Sequence, residues 1–222
     1  MPTDTRATRL AVLISGGGSN LRALLDVIAA DAGFGGEVVV VGSDRTDAAG
    51  LEHARTAGVA TVVEELPRGA DAATRAAWEQ RLTEGLAAHQ PEVVVLAGFM
   101  RILSGGFLAR WPDRVVNTHP SLLPAFRGAH AVREALAHGV KLTGCTVHLV
   151  DEEVDHGPIL AQEAVPVLPG DTEVALHERI KAVEHRLLPA CVRALCHDHV
   201  TVVGRRAEVR LAPDTAEQEL HP

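Results

Sequence analysis

Tyrosine is absent from this 222-residue chain, and its large aromatics are limited to four Phe and two Trp. Proteins that stack the bases of single-stranded nucleic acid need aromatic platforms, so that class is disfavoured. Positive charge is short as well: 21 Lys and Arg stand against 29 Asp and Glu, a formal net charge of −8. This argues against a broad phosphate-backbone footprint but leaves room for a local basic pocket holding one phosphate. Long apolar runs are missing, and the opening MPTDTRATRLAVLI is too short for a signal-peptide core or a membrane span. The three cysteines, Cys145, Cys191 and Cys196, show no C-x-x-C spacing and read as reduced, buried thiols of a cytoplasmic protein. Among 12 histidines there is no H-x-x-x-H pair and no Cys/His cluster, so no metal site is expected.

What is present is an ordinary globular composition, 46% hydrophobic and 23% charged. Short β-branched runs alternate with helical patterns through the first half. Strands are expected at 10–14, 38–41, 61–63, 92–96 and 114–117, with helices at 21–30, 48–57 and 72–88. Trp78, Leu82 and Leu86 mark one helix face by four-residue spacing. Continuous apolar strands between helices imply an α/β fold: a Rossmann-like, mostly parallel twisted sheet covered on both faces. In the second half, 143–150 and 159–167 look like paired strands, an antiparallel extension of that sheet. A long helix at 172–196 places Leu176, Ile180, Val183, Leu187, Cys191 and Leu195 on one face, and 200–203 reads as a last strand. With no repeats and no linker, a single domain over 8–203 is expected, with 1–7 and 213–222 as flexible termini.

Three stretches carry chemistry. SGGGSN, residues 15–20, follows the first strand and opens a helix. Its glycines admit close backbone approach, and a helix N-terminus offers unpaired N–H groups. The spacing is neither G-x-G-x-x-G nor a Walker loop, so a single phosphate fits better than a dinucleotide. A plain strand-to-helix turn capped by Ser19 accounts for it equally well. In VVNTHPSLLP, Asn117 and His119 share a strand face by the period of two. They form either an ordinary polar strand end or an amide–imidazolium pair suited to an oxyanion. DEEVDHGP, from position 151, holds four carboxylates. One of them beside His119 would favour its charged form, though local sequence does not select which. Lys181 and Glu184, three apart on the long helix, suit a surface ion pair.

Taken in order, VLISGGGSNL, VVVLAGFMRIL, NTHPSLLPAFRGAH, GCTVHLVDEEVDHGPIL and IKAVEH resemble the phosphoribosylglycinamide formyltransferase family over about residues 8–203. The resemblance implies transfer of a formyl group from 10-formyltetrahydrofolate, a co-substrate, to the amine of glycinamide ribonucleotide in purine synthesis. By that resemblance Asn117, His119 and Asp155 fall on the catalytic positions. Gly18, Ser19 and Asn20 fall on the 5′-phosphate loop, with Lys181 near the phosphate and Glu184 near the amine. The folate region would take Arg75 (placed by spacing alone), Met100, Arg101, Ile102, Leu103, Asn117, Val150, Asp151, Glu152, Glu153, Val154 and Asp155. A bulky residue at Gly18 is then expected to weaken ribonucleotide binding and spare folate binding. Three positions depart from the pattern: Gly17 where Asn or Thr is common, Thr118 where an aliphatic residue is common, and His156 where Gly follows the Asp. The implied partners are small molecules, without nucleic acid, membrane or metal, in a monomer or homodimer.

Three other functions share part of this pattern. Formyltetrahydrofolate hydrolase uses a similar catalytic stretch behind an N-terminal regulatory domain, whereas only about nine residues precede the first strand here. Methionyl-tRNA formyltransferase carries a C-terminal tRNA domain, unlike this short acidic chain. A non-catalytic phosphosugar-binding protein would need only the glycine loop, which leaves the Asn117, His119 and Asp155 set without a purpose.

Overall fold

The computed structural model describes residues 6–211. Its centre is a nine-stranded sheet in the order β3-β2-β1-β4-β5-β6-β7-β9-β8. β1 (Thr8–Ile14), β2 (Gly36–Ser43), β3 (Ala60–Val63), β4 (Val93–Leu96) and β5 (Val115–His119) are parallel. β6 (Leu142–Leu149) and β7 (Ile159–Pro166) then run antiparallel in turn. The hairpin of β8 (Val200–Val203) and β9 (Arg206–Val209) closes the far side, joined in parallel to β7 through Ile159 and Arg206. The mostly parallel sheet and its antiparallel extension agree with the fold expected from the sequence.

The parallel strands read as unbroken apolar runs because both faces are covered. Leu10, Val12 and Ile14 of β1 join one core cluster, and Ala11 and Leu13 join the other. α1 (Ser19–Ala30) and α6 (Glu173–Cys196) supply the first cluster, through Leu21, Leu24, Leu176, Ile180 and Leu188. α3 (Ala72–Ala87) supplies the second through Trp78, Leu82 and Leu86, all fully buried as their spacing predicts. The Trp78 indole N–H donates to the Glu64 carbonyl at 2.7 Å, so its one polar atom is satisfied. Losing that side chain to Ala would cost about 3–5 kcal/mol.

The helix starts follow capping chemistry. Asp71 accepts the Thr74 amide at 2.7 Å, and Thr172 accepts the Ala175 amide at 3.1 Å. α1 differs: Gly18, at φ 68°, takes the cap position with no side-chain bond. Ser19 is therefore the first helical residue, not the cap. α2 (Leu51–Thr56) is shorter than the 48–57 expected, and β5 continues two residues past Asn117, carrying His119 within the strand. α4 (Gly105–Leu108), α5 (Ala131–His138) and β9 have no counterpart in the sequence reading. Each is short, and Arg206 and Glu208 make β9 half charged, so periodicity gave them no weight. Of the stretches expected to be flexible, 1–5 and 213–222 lie outside the described residues.

β1 lies between β2 and β4, and the chain leaves β1 toward one side and returns on the other. In an open sheet of this kind the carboxyl ends of the strands at that reversal frame a ligand crevice.

Candidate active site

The loops after β1 and β4 meet in this crevice. The Met100 amide donates to Ser15 Oγ at 2.8 Å, and the Ser15 amide donates to the Gly98 carbonyl at 3.2 Å. The Gly50 amide donates to the Gly16 carbonyl at 3.0 Å, tying in the segment after β2. Gly16, Gly17 and Ser19 are exposed, and the first amides of α1 point out from a helix end, an arrangement suited to an anion. Gly18 is constrained by packing instead. A Cβ there would lie 2.7 Å from Gly50 Cα. A bulky residue at Gly18 would therefore disturb the loop itself, which corrects the expectation of a selective loss of ribonucleotide binding.

Below this loop, Asn20 Nδ2 donates to Glu184 Oε2 at 3.0 Å, and both side chains are buried. Asn20 Oδ1 has no partner. Glu184 thus faces α1 rather than forming a surface pair with Lys181, whose Nζ instead pairs with Glu178 at 2.7 Å. The three-residue spacing was right about proximity on the helix and wrong about the partner.

A second cluster forms where β5 meets β6, in a register that pairs Asn117 with His148. The His119 ring is 4% exposed. Its Nε2 lies 2.8 Å from the Phe126 carbonyl, an acceptor only, so that nitrogen carries a proton. Its Nδ1 faces Asp155 Oδ2 at 3.3 Å, an ion pair when the ring holds both protons. His148 Nδ1 bonds to the Leu149 carbonyl at 2.8 Å, leaving Nε2 3.3 Å from Asn117 Nδ2 and 3.7 Å from Asp155 Oδ1. The Gly128 amide donates to Asp155 Oδ2 at 2.7 Å. Burial pushes the Asp155 carboxyl pKa up. The interaction with His148, the Gly128 amide and the facing His119 ring outweigh it and hold the group below the usual carboxylate range. Asp155 is therefore the carboxylate beside His119 that local sequence could not select. Its backbone is in the left-handed region, φ 49°, which costs a non-glycine residue about 1–3 kcal/mol. Both nitrogens of His119 are engaged, whereas Asn117 is only half-buried and keeps a second amide hydrogen.

Residues 8–192 match the family model described as formyl transferase. A phosphoribosylglycinamide formyltransferase of Mycobacterium tuberculosis is 55% identical over 199 residues, 90% of each chain. The chain belongs to the formyl transferase family. The solved glycinamide ribonucleotide transformylase 1 of Symbiobacterium toebii superposes with a TM-score of 0.88 at 46% identity, covering 94% of this chain and 97% of that one. A formyltetrahydrofolate deformylase of Pseudomonas syringae pv. tomato gives 0.83 at 28% identity, covering 91% and 66%.

Against that family pattern, the remaining positions divide into those the crevice exposes and those it does not. Met100 and Ile102 are 69% and 66% exposed beside the loop, unusual for large apolar side chains and fit for an apolar ligand. Arg101 turns inward, its Nε 2.6 Å from Asp44 Oδ2 on a carboxylate that is almost fully buried. Leu103 packs in the second core cluster. Arg75 is exposed on α3, which begins at the same edge of the sheet. Val150 anchors its loop by donating to the Val115 carbonyl at 2.8 Å, while Glu152, Glu153 and Val154 are exposed.

His148, Asp44, the Phe126 carbonyl and the Gly128 amide are site groups that residue-by-residue reasoning missed. Only His148 left a usable signal, a histidine inside the buried run TGCTVHLV seven places before Asp155. Of the family departures, Thr118 is satisfied by Cys145, with Oγ1 and Sγ 3.3 Å apart. Burial pushes the Cys145 and Cys191 thiols up to about 12 and Cys196 to about 11, so all three stay protonated near neutral pH. Among the described residues no group of three His, Cys, Asp or Glu is placed to hold a metal ion, and no helix is long and apolar enough to cross a membrane.

Proposed function

We propose that this chain, working as one cytoplasmic domain, transfers the formyl group of 10-formyltetrahydrofolate to the primary amine of glycinamide ribonucleotide. The observation that carries the reading is the convergence of His119 and His148 on one ionised carboxylate, Asp155, with Asn117 beside His148, at the end of a rigid strand. The amine nitrogen attacks the formyl carbon directly, and the carbonyl becomes an oxyanion. Collapse of that intermediate breaks the bond to the folate nitrogen, which takes up the proton the amine gives away. The second Asn117 N–H serves as one oxyanion donor. His119 Nε2 becomes the other by exchanging the Phe126 carbonyl for the substrate oxygen. Asp155 keeps His119 charged and assists the proton transfer.

In this reading the amides of Gly18, Ser19 and Asn20, with Lys181, receive the 5′-phosphate. The second carboxylate oxygen of Glu184 receives the amine. Met100 and Ile102 cover the folate ring, the backbones of Arg101 and Leu103 bind its polar edge, and Arg75 and residues 150–155 close over it. The names carried by the relatives support the same substrates.

The likeness to a deformylase keeps one rival open, release of the formyl group to water as formate. Incubation with 10-formyltetrahydrofolate, with and without glycinamide ribonucleotide, separates the two. Formylated ribonucleotide with little formate is the expected result. Formate at an equal rate without the acceptor would establish the hydrolase, and no turnover with either would leave a binding protein.

A further inference from the structure

The β8–β9 hairpin lies beyond the residues 8–192 that match the family model, yet its turn reaches back to the loop carrying Asp155. Arg205 Nη2 donates to the His156 carbonyl at 2.8 Å. Its Nη1 lies against the His156 ring, 2.9 Å from Nδ1 and in contact with Nε2. From the other side, Asp151 Oδ2 is 2.7 Å from His156 Nδ1, and Asp151 Oδ1 accepts the Glu153 amide at 3.1 Å.

The chemistry fixes the proton on this ring. A guanidinium only donates and a carboxylate only accepts. The ring therefore turns an Nδ1 hydrogen toward Asp151, and the Arg205 guanidinium lies against the ring between its two nitrogens. His156 follows Asp155, whose left-handed backbone needs restraint, and precedes Gly157. A Cβ on Gly157 would sit 2.0 Å from the Leu149 carbonyl, so the chain there is pressed onto β6. The loop is pinned at its base, and His156 is the bridge by which the hairpin can hold its upper part.

We propose that Arg205 and His156 are positioning residues that hold Asp155 in register with His119 and His148. The role in catalysis rests on the reading of Asp155 given above. The charged and titratable groups facing His156 are Asp151, Glu153, whose carboxylate is 3.9 Å from Nε2, and Arg205. A second proton on the ring would set two cations side by side and weaken this contact, while the bond from Arg205 to the His156 carbonyl persists.

Formyl transfer by the full chain is measured against pH for Arg205→Ala, His156→Ala, the double variant and His156→Gln. Both single Ala variants are expected to lose about 10- to 100-fold in kcat through misplacement of the carboxylate, with KM for the ribonucleotide unchanged. The double variant should fall no further than either single one. His156→Gln offers an amide donor to Asp151 and a carbonyl acceptor to Arg205, so it should keep wild-type kcat and show a flatter acid limb. In parallel, amide exchange across 151–157 should quicken in Arg205→Ala without substrates present, while the melting temperature stays near that of the wild type. Wild-type kcat and pH profile in Arg205→Ala, or a loss in His156→Gln equal to that in His156→Ala, would overturn the proposal. Because exchange is read without turnover, a wild-type protein that transfers no formyl group would sink the reading of Asp155 while the hairpin's hold on the loop is still measured.

Discussion

From β3 to β5 the sheet is parallel, with β1 and β4 at its centre buried on both faces, and it offers functional side chains only where its strands end. From β6 outward it is mostly antiparallel and more open, with alternate residues of β7 reaching solvent, and its contribution comes largely from the loop between β6 and β7. The parallel half presents Asn117 and His119 on a rigid mount. The antiparallel half brings His148 from within a strand and Asp155 from a strained loop. The candidate chemistry therefore sits at the seam, where one half supplies stiffness and the other supplies a charge that needs restraint. A site assembled this way has two modes of failure: loss of a working group, and loss of the geometry between halves.

The largest expected effect tests the first mode. Asn117→Ala and Asp155→Ala should each lower kcat by about 100- to 1000-fold while circular dichroism shows the fold retained. Turnover near wild type in either variant would move the chemistry away from the seam.

A second test contrasts two neighbouring glycines in the parallel half. Gly18→Val forces a side chain into a left-handed position against the Gly50 backbone and should cost about 1–3 kcal/mol of stability, read from the urea midpoint. Nothing lies within 4 Å of a Cβ built on Gly17. Gly17→Ala should therefore change stability by no more than about 0.5 kcal/mol, and any loss of affinity should be confined to the phosphorylated substrate.

The smallest effect concerns acid. Asp155 titrates lower in the folded protein than in the unfolded chain, so the native state binds fewer protons there. Its stabilising contribution is complete above the unfolded carboxyl pKa of about 3.9 and is lost as pH falls through the lower folded value. Below about pH 4, stability of the wild type should therefore decline more steeply than that of Asp155→Asn. Parallel curves would mean that the carboxylate gains nothing from its neighbours.

The same division explains what could be read from the sequence. Two-sided burial writes itself as continuous Val, Leu and Ile, so the parallel strands and the faces of α3 and α6 were legible. Asn117 and His119 could be placed on one face because a strand has a fixed period. The hairpin strand β9 escaped because Arg206, Ala207, Glu208 and Val209 alternate without an apolar run. The pairings of the site escaped for a different reason. Asn20 and Glu184 are 164 residues apart and Arg205 and His156 are 49 apart, so no local rule joins them. Family resemblance named candidate ligand-binding residues, but it did not predict that Arg101 would turn to Asp44 or that His119 would have both nitrogens engaged.

Gly18 and Gly50 illustrate a constraint on how this chain can evolve. A Cβ on Gly50 would meet Gly18 Cα at 2.8 Å and Ile14 Cδ1 at 2.7 Å, and a Cβ on Gly18 would meet Gly50 Cα at 2.7 Å. A substitution at one cannot be relieved by a smaller residue at the other, because none exists. The pair forms a mutational dead end: variation in the loop has to enter through Gly16 and Gly17, while the backbone contact beneath them stays fixed.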